Sequence, residues 1–232
     1  MKIGVFGDSF CAGTVVDYLG PSWVDMLENY GHNITNFGAG GSSMLFSAQL
    51  IESRAKDFDF IIWAATFPPR ISIKIDEPPY HLHFSAPKFN FQDGNYNLTL
   101  PESRLKAKAA SDYYTYLMDF DEYCLIGRSL VNYFLNTYDN LLIIPCFHDP
   151  IGKNFNLYEL CERESKQYFP DTELHIVYKD YVDLRNCHLT LNNNKILADL
   201  IANNLKHGIF QTEYSNFTTP SESKETYFQL KR

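Results

Sequence analysis

Gly7, Asp8 and Ser9 stand directly behind the apolar run Ile3-Gly4-Val5-Phe6, and a serine in that place has more than one chemical reading. Gly, Asp and Ser tolerate turn geometry and bond their own backbone, so the triplet makes a turn after a strand. The same bend presents a hydroxyl in the way a nucleophile needs. Nucleotide-binding folds also place Gly and Ser there, where a following helix N-terminus takes phosphate. A serine attacks an acyl carbon only when a base removes its proton, and imidazole is the side chain best matched to that duty near neutral pH. His188, shortly before the last helical pattern, is one candidate. His148-Asp149, behind an apolar run, is another, with substrate contact or a capping role as its alternatives. His81 and His83, with Asp76 and Glu77, have the residue types of a metal site but no third ligand at a suitable spacing, so no metal is expected. Cys11 and Cys187 lie close in sequence to the serine and the histidine, and Cys11 is a thiol alternative to Ser9.

The elements that position these residues alternate. The run behind Lys2 is a first strand. In "PSWVDMLENYG", Trp23, Met26, Leu27 and Tyr30 fall on one helical face, with Pro21 near the start and Gly31 past the end. "NITNF" is a second strand, followed by "GAGGSS" and a helix with Met44, Ala48, Ile51 and Ala55 on one side. "FDFIIWAA" and "NLLIIPCF" are strands apolar on both faces, as central parallel strands are. A helix around "LYELCERESKQYF", a strand at "ELHIVYK" and a helix from about Thr190 to Lys206 follow, the last burying Ile196, Leu197, Leu200, Ile201 and Leu205, with Gly208 as its cap. The pattern is a three-layer α/β/α, flavodoxin-like doubly wound parallel sheet of about five strands.

Residues 1–210 read as one domain. An insertion at about 68–140 is Pro-punctuated and aromatic at first, with a short hairpin placed near Asp93-Gly94, and helical in its second half. Residues 211–232 read as a polar tail along the surface or disordered. In open parallel sheets, ligands bind beyond the carboxyl ends of the strands, where strand order reverses. That rule gathers Gly7–Ser9, Gly38–Ser43, Thr66–Arg70, Phe147–Asp149 and Asp183–His188 at one edge, and makes Ser9 and His188 neighbours.

"VFGDSF" at the N-terminal strand, "NFGAGGSS" after the second and an Asp/His segment before the final helix resemble the first, second and fifth sequence blocks of the GDSL/SGNH hydrolases, over about residues 2–206. The resemblance implies Ser9 as nucleophile, its amide and that of Gly41 in an oxyanion hole, His188 as base and an acid beside it. Gly40 is one residue from the glycine position. The chain departs from the family pattern twice. Where the third block has Gly-x-Asn-Asp, this sequence has "WAATFPPR", so the asparagine donor is missing and Thr66 or Arg70 stands nearest its place. Where the fifth block has Asp-x-x-His, residue 185 is arginine, and Asp183 is the nearest upstream carboxylate.

These parts imply a serine esterase acting on a small-molecule or glycan ester, with acyl transfer to another alcohol as a variant and no cofactor; the resemblance favours small acyl esters, often on carbohydrates or lipids. The alternative is a degenerate member of the fold that binds a ligand or partner without turnover, and a nucleotide-binding module is a third reading. Composition narrows the partners. The chain has 232 residues, 45% of them hydrophobic, and a formal net charge of −8 without a dense Lys/Arg cluster, so nucleic acid is not expected. No apolar stretch approaches the ~20 residues of a membrane helix, and the N-terminus lacks a leader pattern. Five cysteines without CxxC spacing point to free thiols and a cytoplasmic setting.

Overall fold

The computed structural model describes residues 1–11, 21–40, 42–66, 71–74, 81–84, 105, 108–109, 112–113, 116–146, 155–166, 189 and 191–218, with the backbone alone for 71–74, 81–84 and 162–166. Within them lies a five-stranded sheet with parallel pairings throughout, made of β1 (Lys2–Gly7), β2 (Asn33–Gly38), β3 (Phe60–Ala65), β6 (Leu141–Pro145) and β7 (Gly208–Ile209). The order across it is β2-β1-β3-β6-β7. From β1 the chain winds outward to β2, returns past β1 to β3, and continues the other way. The reversal therefore falls between β1 and β3, where a doubly wound sheet opens its crevice.

Alternation along the strands explains why β3 and β6 are apolar at every position. Ile3, Val5, Phe60, Ile62, Ala64, Leu142 and Ile144 face one layer, where they pack with α1 (Trp23–Met26), α4 (Leu157–Lys166) and α5 (Leu191–Asn203). Phe6, Ile61, Trp63, Ala65, Leu141 and Ile143 face the other, against α2 (Met44–Arg54) and α3 (Phe120–Thr137). The protein is thus an α/β fold with helices on both faces of a parallel sheet, as the alternating pattern predicts. The helical face of Met44, Ala48, Ile51 and Ala55 is buried as expected.

Three details differ from the sequence reading, and two others fall outside the described residues. Tyr30 is exposed, because after Met26 the helix tightens to a 3₁₀ turn over Leu27–Tyr30 and its last residue rotates off the buried face. Gly31 closes that turn with a left-handed φ of 77°. Gly208 does not cap α5, which ends at Asn203; it opens β7, which supplies the fifth strand. "ELHIVYK", expected as that strand, lies outside the described residues. The insertion contains an antiparallel pair, β4 (Ile71–Lys74) and β5 (His81–Phe84), whereas Asp93-Gly94 lies outside the described residues. Ile71-Ser72-Ile73-Lys74 does alternate, over too few residues to register as a strand.

The start of the polar C-terminal stretch is docked. Phe217 is buried and stacks on Phe155, with ring centroids 5.7 Å apart and planes 12° apart. Thr218 exchanges hydrogen bonds with Asn193 at the start of α5, its amide donating to Asn193 Oδ1 and its carbonyl accepting from Asn193 Nδ2, both at 2.9 Å. Two aromatic residues among polar neighbours carry no periodicity, which is why the docking was not legible.

Candidate functional site

β1 ends in a bend that only glycine fits. Gly7 has φ of 153°, and a Cβ there would lie 2.6 Å from the Ala64 carbonyl oxygen and 2.7 Å from Cys11 Sγ. The backbones of β1 and β3 thus approach closely where the crevice opens. The chain then turns at once: Cys11 N–H donates to the Asp8 carbonyl at 3.1 Å, with Ser9 and Phe10 at the two central positions. The Asp8 side chain braces the turn from inside, with Oδ1 accepting from the Phe10 amide at 3.0 Å.

Asp8 is fully buried. Its other oxygen, Oδ2, accepts from the Thr66 hydroxyl at 2.6 Å, directly behind the end of β3. A charge-assisted bond of that length ties the turn bearing Ser9 to the neighbouring strand across the topological reversal. Ser9 itself is half-buried, and among the described residues neither its amide nor its hydroxyl has a hydrogen-bond partner.

The glycine-rich loop after β2 is drawn to the same place. The Gly7 carbonyl accepts from the Ala39 amide at 3.0 Å and from the Ser42 hydroxyl at 2.9 Å. Asn36 adds a crosslink, its Nδ2 donating to the Cys11 carbonyl at 2.6 Å while its Oδ1 takes the Gly38 amide at 2.8 Å. The ends of β1, β2 and β3 therefore form one hydrogen-bonded rim around Ser9.

Of the residues singled out in the sequence, Ser9 and Thr66 stand together at this rim. Gly41, Arg70, Asp183 and His188 lie outside the described residues, as do His148, Asp149, Asp76, Glu77 and Cys187. Thr66 uses its hydroxyl hydrogen on Asp8 rather than presenting it to the crevice. His81 and His83 take backbone positions opposite Lys74 and Ser72 in the hairpin, and no group of three or more metal-ligating side chains occurs among the described residues. Burial, and after it the charge of Asp8, pushes the Cys11 thiol well above its usual range. A neutral thiol sealed in the core is a poor nucleophile, which favours Ser9 over Cys11 at this turn.

Sequence reasoning gave no role to Asn36 or Ser42. Asp8 is the turn residue its type suggests; what went unread is its second bond, from Thr66. The available signal was its position between a buried strand and a serine, where a carboxylate must find donors.

Comparison with known proteins adds little to this geometry. No family model matches the chain, and no curated protein matches it. One solved structure it resembles is a proposed lipolytic protein of the G-D-S-L family from Desulfitobacterium hafniense DCB-2, at 14% identity and a TM-score of 0.27. That alignment covers 62% of this chain and 61% of the other, and at such a score it carries no argument about activity. The chain contains no helix, among the described residues, long and apolar enough to cross a membrane.

Proposed function

We propose that the chain is a serine ester hydrolase with Ser9 as its nucleophile. The observation that supports this most is the state of Ser9. Its amide and hydroxyl are both unpartnered among the described residues, on a braced turn at the carboxyl end of a central strand, beside the topological reversal. A purely structural turn serine at a hydrogen-bonded rim is expected to bond a neighbour, as Ser42 does.

In the proposed reaction, Ser9 Oγ attacks the acyl carbon of the ester while its proton passes to the His188 imidazole, with Asp183 orienting the ring. The carbonyl oxygen, now negative, is held by the amides of Ser9 and Gly41, each worth ~3 kcal/mol of barrier lowering. The carbon–oxygen bond to the alcohol breaks, the alcohol leaves with the proton from His188, and an acyl-Ser9 ester remains. Water, deprotonated by His188, attacks that ester and restores Ser9, so one ester and one water give one acid and one alcohol. A second alcohol in place of water makes the same enzyme an acyltransferase. With the Thr66 hydroxyl engaged with Asp8, Arg70 is the remaining candidate for a side-chain donor. Small acyl esters, including those on glycans, are the substrate class proposed.

The test is covalent labelling with a fluorophosphonate together with a panel of chromogenic short-chain esters. Labelling at Ser9, and loss of both labelling and hydrolysis in a folded Ser9→Ala variant, are the expected results. Hydrolysis unchanged by Ser9→Ala overturns the reading, and an unlabelled wild type that melts higher with an added glycan or nucleotide favours a binding protein instead.

A further inference from the structure

Trp23 opens α1 and is almost fully buried. Its indole N–H donates to the Phe10 carbonyl at 2.7 Å, the residue directly after Ser9. Its backbone N–H donates at 2.9 Å to Oδ1 of Asn194, in the first turn of α5 and distant in sequence. The same Asn194 side chain turns its Nδ2 to the Leu189 carbonyl at 3.1 Å, and Leu189 is covalently joined to His188. Asn194 is 6% exposed and Leu189 5% exposed, so no water competes freely for these bonds. Three hydrogen bonds in series thus connect the residue after Ser9 to the residue after His188.

We infer that Trp23 and Asn194 are positioning residues that fix the turn bearing Ser9 relative to the chain directly after His188. This rests on the reading of Ser9 and His188 given above. A buried asparagine can be satisfied by its own helix, whose carbonyls lie within reach. Asn194 puts its amide oxygen on the distant Trp23 backbone and its amide nitrogen on the Leu189 carbonyl, in the stretch that leads into α5. The amide is rigid and planar, so the donor and acceptor ends hold a fixed spacing. Small displacements matter here, because a nucleophile and base misplaced by ~1 Å can lose on the order of 100-fold in rate. The neighbouring pair of Asn193 and Thr218 holds the same helical turn from outside, which keeps Asn194 from rotating with a loose helix end.

Trp23→Phe and Asn194→Asp test the brace. The first keeps an aromatic body, smaller than indole, and deletes the bond to the Phe10 carbonyl. The second keeps the acceptor for Trp23 and replaces the donor to Leu189 with an oxygen. Each is assayed by circular dichroism for folding, by kcat and KM on the chromogenic esters, by the pH profile of kcat/KM, and by the fluorophosphonate labelling rate, with Ser9→Ala alongside. The expected result is a folded Trp23→Phe protein with kcat and labelling rate about 10-fold lower, KM little changed and the acidic limb of the pH profile displaced; Asn194→Asp gives a larger loss. If Asn194→Asp does not fold, Trp23→Phe decides. Variants that melt earlier but keep wild-type kcat, labelling rate and pH profile at 20 °C make the brace purely structural and overturn the inference, while a dead Ser9→Ala leaves the hydrolase reading standing. A wild type that is neither labelled nor active, or a Ser9→Ala variant as active as wild type, removes the reading and this inference together.

Discussion

Asp8 is an acid placed where apolar residues otherwise meet, and its hydrogen bonds make that tolerable. Thr66→Val keeps the shape and removes the short bond to Oδ2, leaving a buried carboxylate with one donor fewer. The expected cost is about 1–3 kcal/mol, read from the urea midpoint, and Thr66→Ser should recover most of it. Turnover per folded molecule should fall less than ~10-fold, since the hydroxyl faces Asp8. A loss of ~100-fold in kcat with unchanged stability, the size expected for an oxyanion donor, would instead give Thr66 that role. Cys11 makes a second prediction. Its folded pKa is raised, so the native thiol stays neutral at pH values where the unfolded one ionises. The unfolded state then binds fewer protons, and stability falls as pH rises through and above the ordinary thiol range, by up to ~1.4 kcal/mol per pH unit. Below that range the contribution is intact. Denaturation at pH 7 and at pH 10 should show wild type losing more stability than Cys11→Ala over the interval, and equal losses in the two proteins would contradict the burial. The turn that carries Ser9 was legible because Gly-Asp-Ser behind an apolar run is a local signal. The further work of Asp8, Asn36 and Asn194 was not, because each reaches a partner far away in sequence, the Thr66 hydroxyl, the Cys11 carbonyl and the Trp23 amide, and only the folded chain says which group lies opposite.

Elements with a strong period were readable and those defined by one or two contacts were not. β3 and β6 announce themselves by unbroken apolarity, and α2 by its buried stripe. β7 is two residues long, and the segment after it has no pattern, yet Phe210 and Phe217 both reach the core and meet Phe155. Tyr214 joins them, donating its hydroxyl to Glu159 at 2.9 Å and accepting from the Asn156 amide at 3.1 Å. This segment therefore fastens the N-terminus of α4 and, through Thr218, that of α5. Phe217→Ala should cost about 3–5 kcal/mol, measured by denaturant unfolding, because the aromatic cluster cannot close over the space it leaves. A change below ~0.5 kcal/mol, typical of surface sites, would mean that the segment only rests on the surface.

Across the whole molecule, protection should follow strand order rather than chain order. β1 and β3 are flanked on both sides by other strands, whereas among the described residues β2 and β7 each have a free side in the five-stranded sheet. Amides of β1 and β3 should exchange with solvent deuterium only through global opening, and those of β7 through local fraying. Hydrogen-exchange mass spectrometry that finds β7 as protected as β3 would contradict this arrangement.

The placement of β1 also shapes how the protein comes to exist. β1 lies between β2 and β3, and its second neighbour is separated from it by α1, β2 and α2. β6 waits likewise for β7, which lies beyond both α4 and α5. Such distant pairings make for slow folding, since loops must close before the contacts reward them. During synthesis the strand that carries Ser9 precedes its partners, and its apolar residues remain uncovered while the later strands emerge. The turn that carries Ser9, though encoded in a few adjacent residues, can take its final shape only once Thr66 has emerged and the Gly7 carbonyl has met Ser42. An incomplete chain holds the serine without the hydrogen bonds that brace its turn, so the reactivity proposed for Ser9 should arise with completion of the sheet and not before.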